Sequence, residues 1–452
     1  MGAGTVVPLS LLRKVFADTR PLKVKEFRRL WTAYVVANIG QMMTSVAVAL
    51  EMWNLTHSSL AVGFIGVCQF VPLVILGLYG GALSDVLDRR LVGLWASIGL
   101  MVSSALLLTH GLLGIHSTTW LYAVVAMQSC CFALGNPARQ AMIPRLIGKE
   151  LLPAANALSM VSFNTGMTIG PLIGATVIAT TGHVWSVYAI DAIAFSGVVY
   201  ATFRLPSMPP MQENQERRAG LASVIEGLRF LKGRRNLQMS LLIDIIAMVL
   251  GMPRALFPAI ASNWYHAGAN EARISALVGI LTAAPAAGAI LAGLLSGPLQ
   301  RIHAHGRAVA ISVVAWGLAI AGFGLTRNLV IAVVLLALAG AADTVSAVFR
   351  STMMQSAAPD EFRGRLQGVF TVVVAGGPRL GDLEAGYVAT AVSLPFSVVS
   401  GGCFAVGSSG HTTRGTRFPK QTRPHADSCA RNSLHRLNRK LGAASANVCL
   451  LD

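Results

Sequence analysis

The chain has 452 residues, 54% hydrophobic and 12% charged, with a mean hydropathy of +0.61 and a formal net charge of +17. Soluble domains carry about a quarter charged residues, so this composition excludes a string of soluble domains and selects a polytopic membrane protein. Six cysteines without CxxC or metal spacing exclude a disulfide scaffold and a zinc module; Cys68, Cys130 and Cys131 lie in apolar runs and read as small buried residues.

In chain order, residues 1–30 form a basic arm. It has no single apolar core ending in a cleavage site, so it reads as retained rather than as a signal peptide. Gly2 alone is too little for a myristoylation site. Apolar spans follow near 32–54, 60–83, 91–113, 118–138, 154–180 and 183–203, making an N-terminal bundle over 31–203. A polar, basic linker covers 204–236. Further spans near 237–260, 275–298, 308–326, 329–349, 366–390 and 391–407 make a C-terminal bundle over 237–407. A bilayer-crossing helix needs about 20 apolar residues, and most of these runs supply them. Without water the backbone must satisfy itself, which forces helices, and the long continuous runs do not alternate as barrel strands do. The fold class is therefore all-α and polytopic, two six-helix bundles. The last span is short, and the chain then becomes "SSGHTTRGTRFPKQTRPHADSCARNSLHRLNRK". This predicts a short or incomplete twelfth helix and a basic, disordered tail over 408–452 that is foreign to the fold in composition.

Charge sets the orientation. With the N-terminus in the cytoplasm, the cytoplasmic segments hold 24 Lys and Arg, with Arg350 counted among them, and the opposite loops hold only Arg273 and Arg327. That split follows the positive-inside rule. The basic charge alternates with membrane spans, so anionic lipid of the cytoplasmic leaflet is the expected partner and nucleic acid is not. An internal repeat supports two halves. Gly81 and Arg89 match Gly293 and Arg301 at an offset of 212, and "RQAMIPRLIGKE" from Arg139 is echoed by "RSTMMQSAAPDE" from Arg350 at an offset of 211. Parallel repeats about an axis along the membrane normal are a transporter architecture with the site between the halves.

Two motifs carry a resemblance. "GGALSDVLDRR" holds Gly81, Asp85, Asp88, Arg89 and Arg90, and "GMTIGPLIG" holds Gly166, Gly170, Pro171 and Gly174. They resemble the loop signature and the fifth-helix antiporter signature of the major facilitator superfamily. The stretches 136–171 and 244–259 are similar to its branch of siderophore and drug exporters, the transmembrane secretion effectors. The resemblance covers roughly residues 25 to 400. Two departures stand out: Val86 replaces the usual basic residue, and the second-half copy of the loop has lost its Asp. On this resemblance Asp85 is a conformational switch, bonding Arg139 at the end of span 4 or the N-terminus of span 11 only while the halves meet on the cytoplasmic side. Arg89 and Arg90 read more simply as a solvated turn. Gly166, Gly170 and Gly174 leave a bare stripe for a close neighbour, and Pro171 permits a kink.

Ionisable residues inside spans need a reason. They are Asp191, Asp244, Arg254, Asp343, Arg379, Asp382 and Glu384, with Glu51 read as interfacial. Asp244 and Arg254 are too far apart along one helix to meet. Arg254 is placed to meet an anionic or catecholate substrate. Arg379 and Asp382, as i, i+3 neighbours, either neutralise each other or serve, with Asp244, as proton or substrate residues. Asp343, with no basic residue within one turn, is the expected proton carrier. No HExxH, GxSxG, Walker A or His/Cys ligand spacing occurs, so no enzyme, cofactor or metal site is expected. The sequence thus implies a multi-pass inner-membrane exporter of a small amphipathic molecule, a siderophore or drug-like compound, run by proton antiport and alternating access. The alternatives are an importer of the same fold, or a scaffold whose transport is impaired by its twelfth helix.

Overall fold

Apolar runs leave the backbone no hydrogen-bond partner but itself, and in the computed structural model the expected spans are helices. Residues 19–209, 229, 232, 235–265, 270–294, 305–357 and 360–415 are described, and among them there is no strand. The N-terminal half comprises α1 (Lys25–Thr56), α2 (Ser59–Val86), α3 (Arg89–Leu113), α4 (Thr118–Leu146), α5 (Leu152–Thr181) and α6 (Trp185–Phe203). The C-terminal half comprises α7 (Arg235–Leu250), α8 (Glu271–Leu294), α9 (His305–Leu325), α10 (Leu329–Ala357), α11 (Asp360–Ala391) and α12 (Leu394–Gly415). After "GMP" at 251–253, the line of α7 resumes as a 3-10 turn, Arg254–Leu256, and a short helix, Phe257–Asn263. Among the described residues ten helices are long and apolar enough to cross a membrane, and Leu394–Ser408 is a shorter apolar helix.

Helices alternate in direction, so the assembly has two ends. One carries the short α1–α2, α3–α4 and α5–α6 turns and their counterparts (the turn end). The other carries the N-terminal arm and the connection between halves (the linker end).

Three expected boundaries move. α1 starts at Lys25, preceded by a 3-10 turn at Arg20–Lys23, and Pro21, Phe27 and Leu30 are buried. The last third of the basic arm therefore belongs to the bundle. The linker does not begin at 204, because Leu205 and Met208 are buried against Leu30, Met142 and Ala201. The twelfth helix is short in its apolar part, Leu394–Ser408, as expected, although α12 as a whole has 22 residues, about 33 Å at the usual rise. Its apolar part ends at Ser408, and the polar "SGHTTRG" forms its last turns, so a bundle ending at 407 and a tail starting at 408 cut through a helix.

Small residues set the packing. The stripe Gly166, Gly170, Gly174 of α5 lies on α1: a Cβ on Gly170 would stand 3.0 Å from the Ile39 carbonyl oxygen, and one on Gly174 would stand 3.0 Å from Met43 Cα. The C-terminal half repeats this contact. Gly166 and Gly170 face Asn38 and Met42, while Gly377 and Gly381 face Met248 and Met252, each pair of partners 210 or 211 residues further on. Between the halves, α2 runs along α11 and α5 along α8. Gly63 and Gly66 receive the backbone of Asp382 and Arg379, and Gly279 receives the carbonyl of Pro171. Pro171 and Asp382 are themselves repeat mates, 211 residues apart. Such close backbone approaches are the means by which helices associate where burial gives no hydrophobic gain.

Candidate functional site

The repeat register places Tyr34 opposite Asp244 and Arg139 opposite Arg350, one pair in each half. In the C-terminal half Arg350 of α10 forms an ion pair with Asp244 of α7, and its second amino group lies 3.7 Å from Asp343. Arg350 and Asp244 are both 2% exposed, whereas Asp343 is 40% exposed. Asp343 and Arg350 are seven residues apart, so two helical turns bring them onto one face. A small cavity with room for about one water molecule opens beside them, lined by Asp244, Ser312, Trp316, Asp343, Ser346 and Arg350. Asp244 Oδ2, Ser346 Oγ and Arg350 Nε have no hydrogen-bond partner among the described residues. A buried pair with unmet donors and acceptors beside a cavity is a site poised for water or a proton.

This corrects one expectation and extends another. Arg350 is not a cytoplasmic loop charge; it is buried inside α10. Asp343 has no base within one turn, yet it does have one two turns away. In the N-terminal half the repeat mate Arg139 donates to Asn136 Oδ1 at 2.9 Å and stacks over the Tyr34 ring at 4.8 Å. Gly81 and Asp85 lie in the stretch of α2 whose side chains are outside the described residues, so an Asp85–Arg139 bond is not among the described contacts.

Asp88 and the two arginines after it do more than form a solvated turn. Asp88 caps α3 by accepting from the Arg90 N–H at 2.8 Å, and it also accepts from Ser207 Oγ at 2.5 Å and the Met208 N–H at 3.1 Å. The Arg89 N–H donates to the Met208 carbonyl at 3.3 Å, and Arg90 donates to the Phe203 carbonyl at 2.5 Å. Arg29 and Arg145 complete the set on the Arg204 and Pro209 carbonyls, at 2.9 and 2.6 Å. The Asp88 carboxyl is held below its ordinary value: burial pushes it up, but the bonds from Ser207, Arg90 and Met208 and the Arg90 charge pull it down further.

At the turn end, Arg254 donates to Asp382 at 2.5 Å, from the break in the seventh span to α11. Asp382 thus has a partner on another element in addition to the i, i+3 neighbour that the sequence offers. Arg254 remains 39% exposed, while Asp382 is 9% exposed. Arg379 lies close enough to feel both charges.

Sequence reasoning missed the polar network of the N-terminal half. Glu51 is not merely interfacial: it bonds His110 of α3 at 2.9 Å and accepts from Tyr188 of α6 at 2.5 Å. Asp191, fully buried, accepts from Thr44 and Ser104 hydroxyls at 2.9 and 2.8 Å. The available signal was the spacing of Thr44 and Glu51, seven residues apart on one face of α1.

The comparisons with known proteins follow this geometry. The family model for the transmembrane secretion effectors matches residues 17–448. The chain is 30% identical over 359 residues to the enterobactin exporter EntS of Shigella boydii serotype 18, covering 78% of this chain and 83% of that one. The same figures hold for the enterobactin exporter EntS of Escherichia coli O1:K1. Among solved structures, a bacterial homolog of the human lysosomal transporter Spinster, inward-facing and unoccupied, aligns with a TM-score of 0.69 at 15% identity, over 90% of this chain and 100% of that one. The nucleoside transporter NupG aligns with a TM-score of 0.66 at 14% identity, over 86% and 97%.

Proposed function

This chain belongs to the transmembrane secretion effector family of the major facilitator superfamily, a family of multi-pass membrane transporters, and from that premise we infer a proton-coupled exporter of a small amphipathic molecule. The cargo is a siderophore or drug-like compound, anionic or catecholate in the part that meets Arg254. The protein works in the inner membrane with its linker end in the cytoplasm, where the anionic leaflet faces the basic segments.

The observation that carries this reading is the Asp244–Arg350–Asp343 cluster. One cation is shared by two carboxylates that both line the cavity, one of them buried and the other partly exposed. When Asp343 takes a proton, Arg350 is left wholly to Asp244. When the proton leaves, Arg350 is again shared. The two charge states favour different packings of α7 against α10, which is the differential stabilisation that alternating access needs. The close α2–α11 and α5–α8 contacts described above lie toward the turn end, and Asp85 acts as the corresponding switch at the linker end.

The test is transport in energised inverted vesicles. Asp343→Asn is expected to abolish uphill accumulation while substrate binding stays measurable. Accumulation that persists would remove Asp343 from the coupling role. Asp85→Asn is expected to insert normally and to reduce flux strongly; unchanged flux at equal abundance would end its role as a switch.

A further inference from the structure

We propose that Glu51, His110 and Tyr188 form a proton-binding site of the N-terminal half, separate from the Asp244–Arg350–Asp343 cluster and opening at the turn end. Three helices build it. Glu51 lies near the end of α1, His110 near the end of α3 and Tyr188 near the start of α6. His110 is 2% exposed and Tyr188 fully buried, while Glu51 keeps 14% exposure. Glu51 accepts from both: the His110 Nδ1–H at 2.9 Å and the Tyr188 hydroxyl at 2.5 Å. The remaining imidazole nitrogen, Nε2, accepts the Ser117 N–H at 3.3 Å. A nitrogen that accepts is unprotonated, so these bonds assign the neutral Nδ1–H tautomer.

The assembly then holds one negative charge in an apolar bundle. No Lys or Arg partner of Glu51 occurs among the described contacts. Toward the turn end, the other ionisable groups on these elements include Asp191 on α6, Tyr122 on α4, and His57, His116 and His183 in the neighbouring turns, while the arginines of α1, α3 and α4 lie toward the linker end. Tyr122 donates instead to the Ala61 carbonyl of α2 at 2.8 Å, and Asp191 is held by Thr44 and Ser104. A proton on Nε2 neutralises the site while leaving both bonds to Glu51 in place, giving an imidazolium beside the carboxylate. That proton converts Nε2 from acceptor to donor. It then faces the Ser117 N–H, donor against donor, and the bond breaks.

Ser117 is not a passive partner. Its hydroxyl caps α4 through the Trp120 N–H at 3.3 Å, and the His110 carbonyl anchors the turn through the Ile115 N–H at 3.1 Å. Proton binding therefore loosens the α3–α4 turn and the start of α4. α4 passes this on to α2, the interface helix, through Ser129, whose hydroxyl donates to the Gln69 carbonyl at 2.6 Å.

The experiment uses the full chain in nanodiscs with its native cysteines replaced by serine. One variant carries His116→Cys in the α3–α4 turn, and a reference carries Asn328→Cys in the corresponding α9–α10 turn. The maleimide-labelling rate of the first, divided by that of the second, is followed from pH 8 to pH 5. The ratio is expected to rise several-fold on acidification. His110→Gln keeps a donor for Glu51 and an acceptor for Ser117, and it should hold the ratio flat. Tyr188→Phe removes one donor from Glu51, and it should move the transition to higher pH. A ratio independent of pH, or an equal rise in His110→Gln, would overturn the site. Because no transport is measured, its failure is separable from failure of the exporter reading.

Discussion

The two halves place an arginine at the same repeat position and surround it differently. Arg139 rests on the Tyr34 ring and the Asn136 amide, while Arg350 is bound to Asp244 and approaches Asp343. An aromatic face and an amide cannot take up a proton, whereas carboxylates can. One fold thus holds a fixed cation in its first half and a titratable cluster in its second. The N-terminal half keeps its acids elsewhere, between α1, α3 and α6, behind the helices that meet the other half. The lesson is that a repeat preserves the packing frame, here the glycine contacts of α5 and α11, while the charged partners diverge within it.

Removing the two arginines should separate the halves most sharply. Arg350→Gln strands two carboxylates, and breaking a buried pair costs about 3–5 kcal/mol. Arg139→Gln loses a cation–π contact of about 0.5–2 kcal/mol. The expected result in thermal unfolding is a much larger fall in midpoint for Arg350→Gln, recovered in part by adding Asp244→Asn; equal falls would erase the distinction. A smaller effect tests the shared frame. Gly170→Ala and Gly381→Ala each press a methyl group on a neighbouring helix, and overpacking costs about 1–3 kcal/mol. Similar losses for both would support equivalent contacts, and a tolerated Gly381→Ala would break the symmetry. The smallest effect belongs to a residue without a counterpart. Asp88→Ala removes an N-cap, worth about 1 kcal/mol. A carboxyl lowered by folding contributes stability above its ordinary range and loses it as pH falls through the lowered value. The gap between the parent chain and Asp88→Ala should therefore be full at pH 7 and close below about pH 4. A gap that widens in acid would contradict the bonds to Ser207 and Met208.

The helices, their number and the two halves were legible because apolar runs and repeats are written along the chain. The short apolar part of the twelfth helix was legible, whereas its polar last turns read as a tail because no apolar run marks them as helical. Arg350 was misplaced for a related reason: it opens the polar stretch "RSTMMQS", and the carboxylate that buries it lies on another helix. Glu51, His110 and Tyr188 are each unremarkable in sequence, since they are separated by 59 and 78 residues and meet only when α1, α3 and α6 close. The Asp382 partner was hidden by the i, i+3 neighbour that a linear reading prefers.

The grip on residues 203–209 has a mechanical consequence. Arg90 on α3, Arg29 on α1 and Arg145 on α4 hold the carbonyls of Phe203, Arg204 and Pro209, and Asp88 holds the Met208 amide. Residues 203–209 are therefore part of the first half, so the connection between the halves starts beyond Pro209 and not at the end of α6. A pull from the second half is not unwound from the last turn of one helix. It arrives as a load shared by three helices at once, so the first half is driven as one lever instead of being peeled open from an edge.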